Sequence, residues 1–279
     1  MKTNLIGISG KIGSGKDTVG NILQYLGTVD NPTKKEFITR YVEHSNAVLV
    51  KPAYKIKKFA DKLKDIVCLL IGCTREQLED REFKDKELGE EWWYWKMYLD
   101  IEFNHYSLIP YNKEDNIYEA LNETPDNYAG HVLVKLTPRK LLQLLGTEAG
   151  RDIIHPNIWV NALFADYKTI ANFKLRNYKL FNNLKTSEND VTQEYPNWII
   201  TDVRFPNEIE TIKDRGGIVI RVNRPLERLG KSKLPKLKHT SVTQHPSETA
   251  LDNHEFDITI DNNGSIEELI EKVKQLKLV

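Results

Sequence analysis

The sequence predicts a three-layer α/β fold, a central parallel sheet with helices on both faces. Three observations carry that expectation. Short apolar runs, Leu5-Ile6-Gly7-Ile8, Trp198-Ile199-Ile200 and Ile218 to Val222, read as strands buried on both faces. Amphipathic helical patterns alternate with them, which specifies a sheet covered on both sides. The first strand runs into a glycine-rich turn that opens a helix, so backbone N–H groups and the positive end of the helix dipole converge on one spot suited to an anion.

Taken in order, the first strand is followed by Gly10 to Thr18, Gly-Lys-Ile-Gly-Ser-Gly-Lys-Asp-Thr, and then by a helix carrying Val19, Ile22, Leu23 and Leu26. Residues 29–43 are polar and contain Pro32, a loop or a variable insertion. Residues 48–50 and 56–59 are short β-prone segments, and Ala60 to Ile71 has helical spacing at Leu63, Ile66, Val67, Leu70 and Ile71. From Thr74 to Asn127 charge runs alternate with aromatics, including Trp92, Trp93 and Trp95, and we expect an inserted, mostly helical lobe whose aromatics form a satellite core. Thr137-Pro138 starts a helix, with Thr as N-cap and Pro at the first position, that ends at Gly146. Asn157 to Ile170 is a further helix and residues 172–196 a surface excursion. Trp198 to Asp202 is a strand beside the phosphate loop, Glu208 to Arg215 a helix stopped by Gly216-Gly217, and Ile218 to Val222 another strand. A basic loop from Asn223 to His245, a strand at Ile258 to Ile260 and a helix from Ile266 to Leu276 complete the pattern.

Several groups of residues carry chemistry. Gly10, Gly13 and Gly15 allow positive φ and close approach of oxygens, Ser14 lies between them, and Lys16 supplies a charge for the β and γ phosphates. Asp17 stands where a Ser or Thr usually ligates magnesium, with Thr18 one position later. Asp202 ends a buried strand at the edge where open α/β sheets bind ligands, and two roles compete for it: holding hydrated magnesium, or accepting a hydrogen from the phosphoryl acceptor. Arg204, with Glu208 a turn later, suits a clamp on a second phosphate. Arg139, Gln143, Gly146, Thr147, Arg151 and Trp159 form a third group, Trp159 offering a plane for a nucleobase. Arg224 and Arg228 stand at the start of the basic loop, which reads as a short lid over about 223–247. Asn262 and Gly264 make a tight turn suited to adenine contact through backbone groups.

The chain has 279 residues, 40% hydrophobic, enough for one core with insertions. Its 40 Lys and Arg balance 40 Asp and Glu, so nothing in the charge recommends a nucleic acid or an anionic membrane as partner, and small-molecule substrates are expected. Cys68 and Cys73 have no matching ligand pair for zinc and are expected as buried thiols of a cytoplasmic protein. No signal peptide and no membrane span of roughly 20 apolar residues are read. A homodimer is compatible with the sequence, which does not fix the number of subunits.

With these segments in hand, the chain resembles the bacteriophage deoxynucleoside monophosphate kinases, relatives of the nucleoside monophosphate kinases within the P-loop class. The resemblance rests on Gly10 to Thr18, Phe59-Ala60-Asp61 with Leu63-Lys64, and Arg139 through Leu142-Gln143 to Leu145-Gly146-Thr147. It also rests on Ile158-Trp159-Val160, on Asp202-Val203-Arg204 with Glu208, and on Asp261 to Ser265. It implies a P-loop kinase core over residues 1–73 and 132–279 and an inserted monophosphate-binding lobe over 74–131. It implies transfer of the γ-phosphoryl of ATP to a deoxynucleoside monophosphate with Mg²⁺, in the host cytoplasm if the chain is phage-encoded. Lys16, Asp17 and Thr18 would then serve ATP and metal. Arg81, Arg139, Gly146, Thr147, Trp159, Asp202, Arg204 and Glu208 would line the monophosphate site. Two other readings share the phosphate loop: a small-molecule kinase resembling dephospho-coenzyme A kinase, and an ATP-binding sensor that transfers nothing.

Overall fold

The computed structural model describes residues 3–28, 53–100, 105–113, 131–173, 191–225 and 249–279. The chain divides into two compact units, residues 1–61 with 157–279, and residues 62–156.

The first unit is built on a five-stranded sheet ordered β10-β9-β1-β8-β2, parallel throughout. Its strands are β1 (Leu5–Ser9), β2 (Lys55–Lys57), β8 (Trp198–Val203), β9 (Ile218–Asn223) and β10 (Ile258–Asp261). Every residue of β1 and β8 is buried, as expected of central strands covered on both faces. One face packs Ile6, Ile8, Ile199 and Ile220 against Val19, Ile22 and Leu23 of α1 (Lys16–Leu26) and Leu269 and Val273 of α8 (Ile266–Gln275). The other packs Leu5, Ile200, Val203 and Val219 against Val160 and Leu163 of α6 (Ile158–Phe164) and Ile209 and Ile212 of α7 (Pro206–Lys213). The three-layer expectation holds, with the C-terminal ends of β1, β8 and β9 along one edge. An antiparallel pair, β6 (Ile170–Phe173) with β7 (Val191–Glu194), flanks residues 174–190, which lie outside the described residues. The expected helix to Ile170 therefore stops early. The apolar spacing of α6 ends at Phe164, and Asp166 and Tyr167 close a turn onto Leu163 and Phe164 carbonyls.

Among the described residues, the inserted segment expected to be mostly helical holds strands as well as helices. Helix α2 (Asp61–Ile71), which begins at the boundary, is followed by α3 (Arg75–Glu79) and α4 (Arg81–Asp85). The helix α3 is closed by a Thr74–Gln77 capping box, and Asp80 caps α4 through the Phe83 N–H. The aromatic run then forms β3 (Trp93–Asp100), the centre of an antiparallel sheet with β4 (His105–Pro110) and β5 (His131–Lys135). Aromatic side chains lose rotamer freedom in a helix and pack well on a pleated surface, and Trp95 accordingly stands opposite Leu133 and Ile109. Trp93, half-buried, donates its indole N–H to Leu88 O and packs on Tyr111. Cys68 and Cys73 are half-buried free thiols rather than fully buried ones, with sulfurs 3.8 Å apart.

Thr137 caps α5 (Pro138–Gln143) through the Lys140 N–H, as its sequence predicts. The helix does not end at Gly146. It widens into a π-helical stretch, Leu144–Ile154. Gly146 is buried there, and a Cβ on it would lie 2.9 Å from Leu63 Cδ2, so the glycine serves close packing against α2 rather than termination. Residues 29–43, 48–50 and most of the expected lid lie outside the described residues, among which no helix is long and apolar enough to cross a membrane.

Candidate active site

Between β1 and α1 the chain forms a cradle for an anion. Gly13 and Gly15 take φ of 80° and 92°, the left-handed region that glycine enters without Cβ strain. Lys16 is the first residue of α1, at the positive end of the helix dipole. The Ser14 hydroxyl is buried and, among the described residues, has no hydrogen-bond partner, a polar atom that a phosphate oxygen would satisfy. The loop is held from outside: the Asn262 side-chain amide donates to Ser14 O at 2.8 Å and lies against Gly15. Asn262 is itself buried, and its backbone N–H donates to Asn223 O at 2.7 Å. The turn expected to offer backbone contacts to adenine thus braces the phosphate loop through a side chain, while Gly264 lies against Glu268.

Asp17 points back to the sheet edge. Its Oδ1 is 2.9 Å from Lys58 Nζ and accepts from Thr201 Oγ1 at 3.1 Å. Burial alone would push its carboxyl up, but Lys58, Lys16 and the Thr201 hydroxyl hold it below the ordinary carboxylate range. An ionised oxygen ligand in the first turn of α1, next to Thr18, fits a hard divalent cation. Among the described residues there is no group of three or more His, Cys, Asp or Glu side chains that could hold a metal.

Asp202 is buried at the end of β8, where burial pushes its carboxyl up while the Ala60 and Phe59 N–H groups pull the other way. It accepts from Phe59 N at 2.8 Å and Ala60 N at 3.0 Å, satisfying the turn that leads into α2. Glu208 is buried to 1% exposure, and its Oε2 accepts from Arg204 N at 2.7 Å and Phe205 N at 3.2 Å. Glu208 therefore shapes the backbone at Arg204, whereas Asp202 fixes the Phe59-Ala60 turn. Arg204 lines a small recess with Ser9, Gly10, Lys11 and Arg221. Next to it, an open cleft of about 500 Å³ is lined by Lys11, Ser14, Arg221, Asn223, Arg224 and Asp261, within the range of small-molecule sites. Trp159 is only 6% exposed in α6. Arg228 lies outside the described residues.

In the second unit, Arg139 is gripped by Asp85 through two parallel contacts, Nε to Oδ1 and Nη2 to Oδ2, the latter at 3.1 Å. That grip, aided by Arg81 and Lys84, holds the Asp85 carboxyl below its ordinary range. Lys84 is pulled down by burial and by the neighbouring Lys64 and Arg139 cations. The structure thus gathers Arg81 and Arg139 with Lys64, which the sequence singles out only as part of a motif, and with Lys84, which it does not single out. Gln143 and Thr147 are half-buried on the same helical stretch, and Arg151 makes a long 3.5 Å contact to Pro156 O.

The residues missed from sequence left faint signals. Lys58 precedes the Phe59-Ala60 turn, Thr201 precedes Asp202, and Arg221 is a lone charge in an apolar strand.

A family model described as deoxynucleotide monophosphate kinase matches residues 4–273. The chain belongs to that family. Among its relatives is the deoxynucleoside-5′-monophosphate kinase of Escherichia phage T5, 25% identical over 275 residues, which cover 88% of this chain and 84% of that one. Another is the deoxynucleotide monophosphate kinase of Escherichia phage RB69, 26% identical over 171 residues, or 61% of this chain and 54% of that one. Membership in the deoxynucleotide monophosphate kinase family makes the chain a phosphotransferase that works on nucleotides, and it favours this reading over a coenzyme-precursor kinase or an ATP sensor.

Proposed function

We propose that the protein transfers the γ-phosphoryl group of ATP to a deoxynucleoside 5′-monophosphate, giving the diphosphate for deoxynucleotide synthesis in the cytoplasm in which the chain is made. The observation that carries the proposal is the cradle at Gly13 to Lys16, with two left-handed glycines, a buried hydroxyl with no partner among the described residues, and a lysine on the first turn of α1.

Phosphoryl transfer spreads negative charge over oxygens in flight and needs little covalent help, so positioning and cationic stabilisation dominate. Lys16 neutralises the β and γ oxygens from the loop. Mg²⁺, when bound, would supply further neutralisation of the phosphate charge, and Asp17 with Thr18 would hold it, partly through water. On the acceptor side Arg204 presents the charge in the first unit, with Glu208 fixing its backbone and Asp202 at the end of β8 holding the Phe59-Ala60 turn. In the second unit, Arg81 and Arg139 supply further cations, alongside Gln143, Gly146, Thr147 and Arg151. Trp159 contributes an edge to the base, and Arg224, Arg228 and the turn at Asn262 to Gly264 serve the ATP side.

A coupled assay of ADP release with the four common deoxynucleoside monophosphates and their ribose counterparts tests the reading. Deoxynucleotide-dependent turnover supports it, and activity on a coenzyme precursor alone, or none with any nucleotide, rejects it.

A further inference from the structure

Asp252 is the carboxylate partner of two cations, Lys11 and Arg221, to which the proposed function gives no role. Its Oδ1 and Oδ2 each lie 2.9 Å from Lys11 Nζ, and its Oδ1 lies 3.7 Å from Arg221 Nη2. Lys11 is the second residue of the phosphate loop. Arg221 enters from β9, next to β1 in the sheet, and its side chain is 13% exposed. An arginine inside an apolar strand of a covered sheet is costly to desolvate. Here the cost is offset by a fixed orientation: Nη1 donates to Ser9 Oγ at 3.0 Å, and the guanidinium lies 5.2 Å from the Phe256 ring. One end of the fork is therefore locked, and the other faces the sheet edge where Asp252 meets it.

Lys11 and Arg221 also border the 500 Å³ cleft, together with Ser14 and Arg224. The adjoining recess beneath them is about 10 Å³, room for a single water, so an anion of phosphate size has to approach from the cleft side. Carboxylate and phosphate oxygens compete for the same guanidinium and ammonium donors.

We infer that Lys11 and Arg221 form a recognition pair for the polyphosphate tail of ATP, and that Asp252 is a built-in rival anion which that tail displaces. This rests on the proposed reading in that ATP occupies the phosphate loop, and it deepens that reading by naming two contacts beyond Lys16. The pair tunes affinity through competition: the protein holds its own counter-ion on the donors, and a nucleotide binds by the difference between phosphate and carboxylate.

The test is titration calorimetry of wild type, D252N, R221Q and the double variant with ATP, inorganic tripolyphosphate and adenosine at one fixed ionic strength, with thermal melts to check folding. Removing the rival charge should tighten ATP and tripolyphosphate about fivefold and leave adenosine unchanged, whereas R221Q should weaken both polyphosphates about tenfold. In the R221Q background the gain from D252N should shrink, since its beneficiary is gone. D252S provides a second variant should D252N melt early. Polyphosphate binding that is unchanged or weaker in both Asp252 variants overturns the inference, because it makes Asp252 a plain tether of the loop. So does a gain that survives undiminished in R221Q. Wild type that ignores ATP but shows these responses with tripolyphosphate would sink the kinase reading while leaving the anion pair standing.

Discussion

The Asn262 side-chain amide donates to the Ser14 carbonyl at 2.8 Å, so a turn after the last strand holds the phosphate loop near the start of the chain. The amide is buried, and truncation leaves the Ser14 carbonyl without its donor. Asn262→Ala should cost about 1–3 kcal/mol of stability and weaken ATP. Asn262→Asp should be worse, since a carboxylate cannot donate to a carbonyl. Chemical denaturation and ATP titration on both variants check this. Aspartate behaving like wild type would refute the donor role.

Lys16→Ala should abolish deoxynucleotide-dependent ADP release while the thermal midpoint stays near wild type, because the side chain starts α1 and none of its atoms belongs to the core. Near-normal turnover in a folded variant would remove the loop from the chemistry.

Glu208→Gln should retain part of the cap on α7 and Glu208→Ala almost none. Alanine leaves the Arg204 and Phe205 N–H groups without a buried acceptor, at about 1–3 kcal/mol. If the carboxylate acts through the Arg204 backbone, turnover should fall in step with stability and glutamine should rescue both in part. Loss of turnover in a fully stable Glu208→Ala would instead mean direct contact with substrate.

For Asp17 the sign of the pH effect follows from its lowered carboxyl, which the folded state holds ionised more firmly than the unfolded chain does. The resulting stabilisation is complete above the ordinary carboxylate range and is lost as pH falls through the folded value. It should be small, because the side chain is 57% exposed and solvent screens its pairing with Lys58. Lys58→Met should move the Asp17 titration upward in carboxyl-resolved NMR. Wild-type Asp17 titrating at or above the ordinary range contradicts the ion pair.

Asp85→Asn releases one end of the grip on Arg139. It should change KM for the monophosphate by a few fold and leave KM for ATP unaltered, which steady-state kinetics with each substrate varied in turn would reveal. Equal shifts in both constants would argue against an acceptor-side role for Arg139.

The phosphate loop, the strand ending at Asp202 and the Thr137-Pro138 helix start were all readable in advance, because each is written in a few adjacent residues whose backbone demands are local. The contacts that make Asp202 and Glu208 useful were not. Their partners are backbone amides of Phe59, Ala60, Arg204 and Phe205, and an amide N–H leaves no mark on side-chain pattern. The sheet around Trp93 to Asp100 was misjudged because nearly every position there is apolar or aromatic, so neither helical nor strand period stands out. Gly146 was read as a stop signal because glycine at a helix end and glycine at a crossing point look alike in one dimension, and only the Leu63 side chain tells them apart.

The brace between Asn262 and Ser14 also dictates when the protein first becomes competent. The glycine-rich segment leaves the ribosome early, but its clamp is translated some 248 residues later, and β9 and β10 must add to the sheet before the clamp can close. Nascent chains stalled ahead of that point should capture nucleotide poorly even with α1 already wound, so binding capacity waits until Asn262 has emerged.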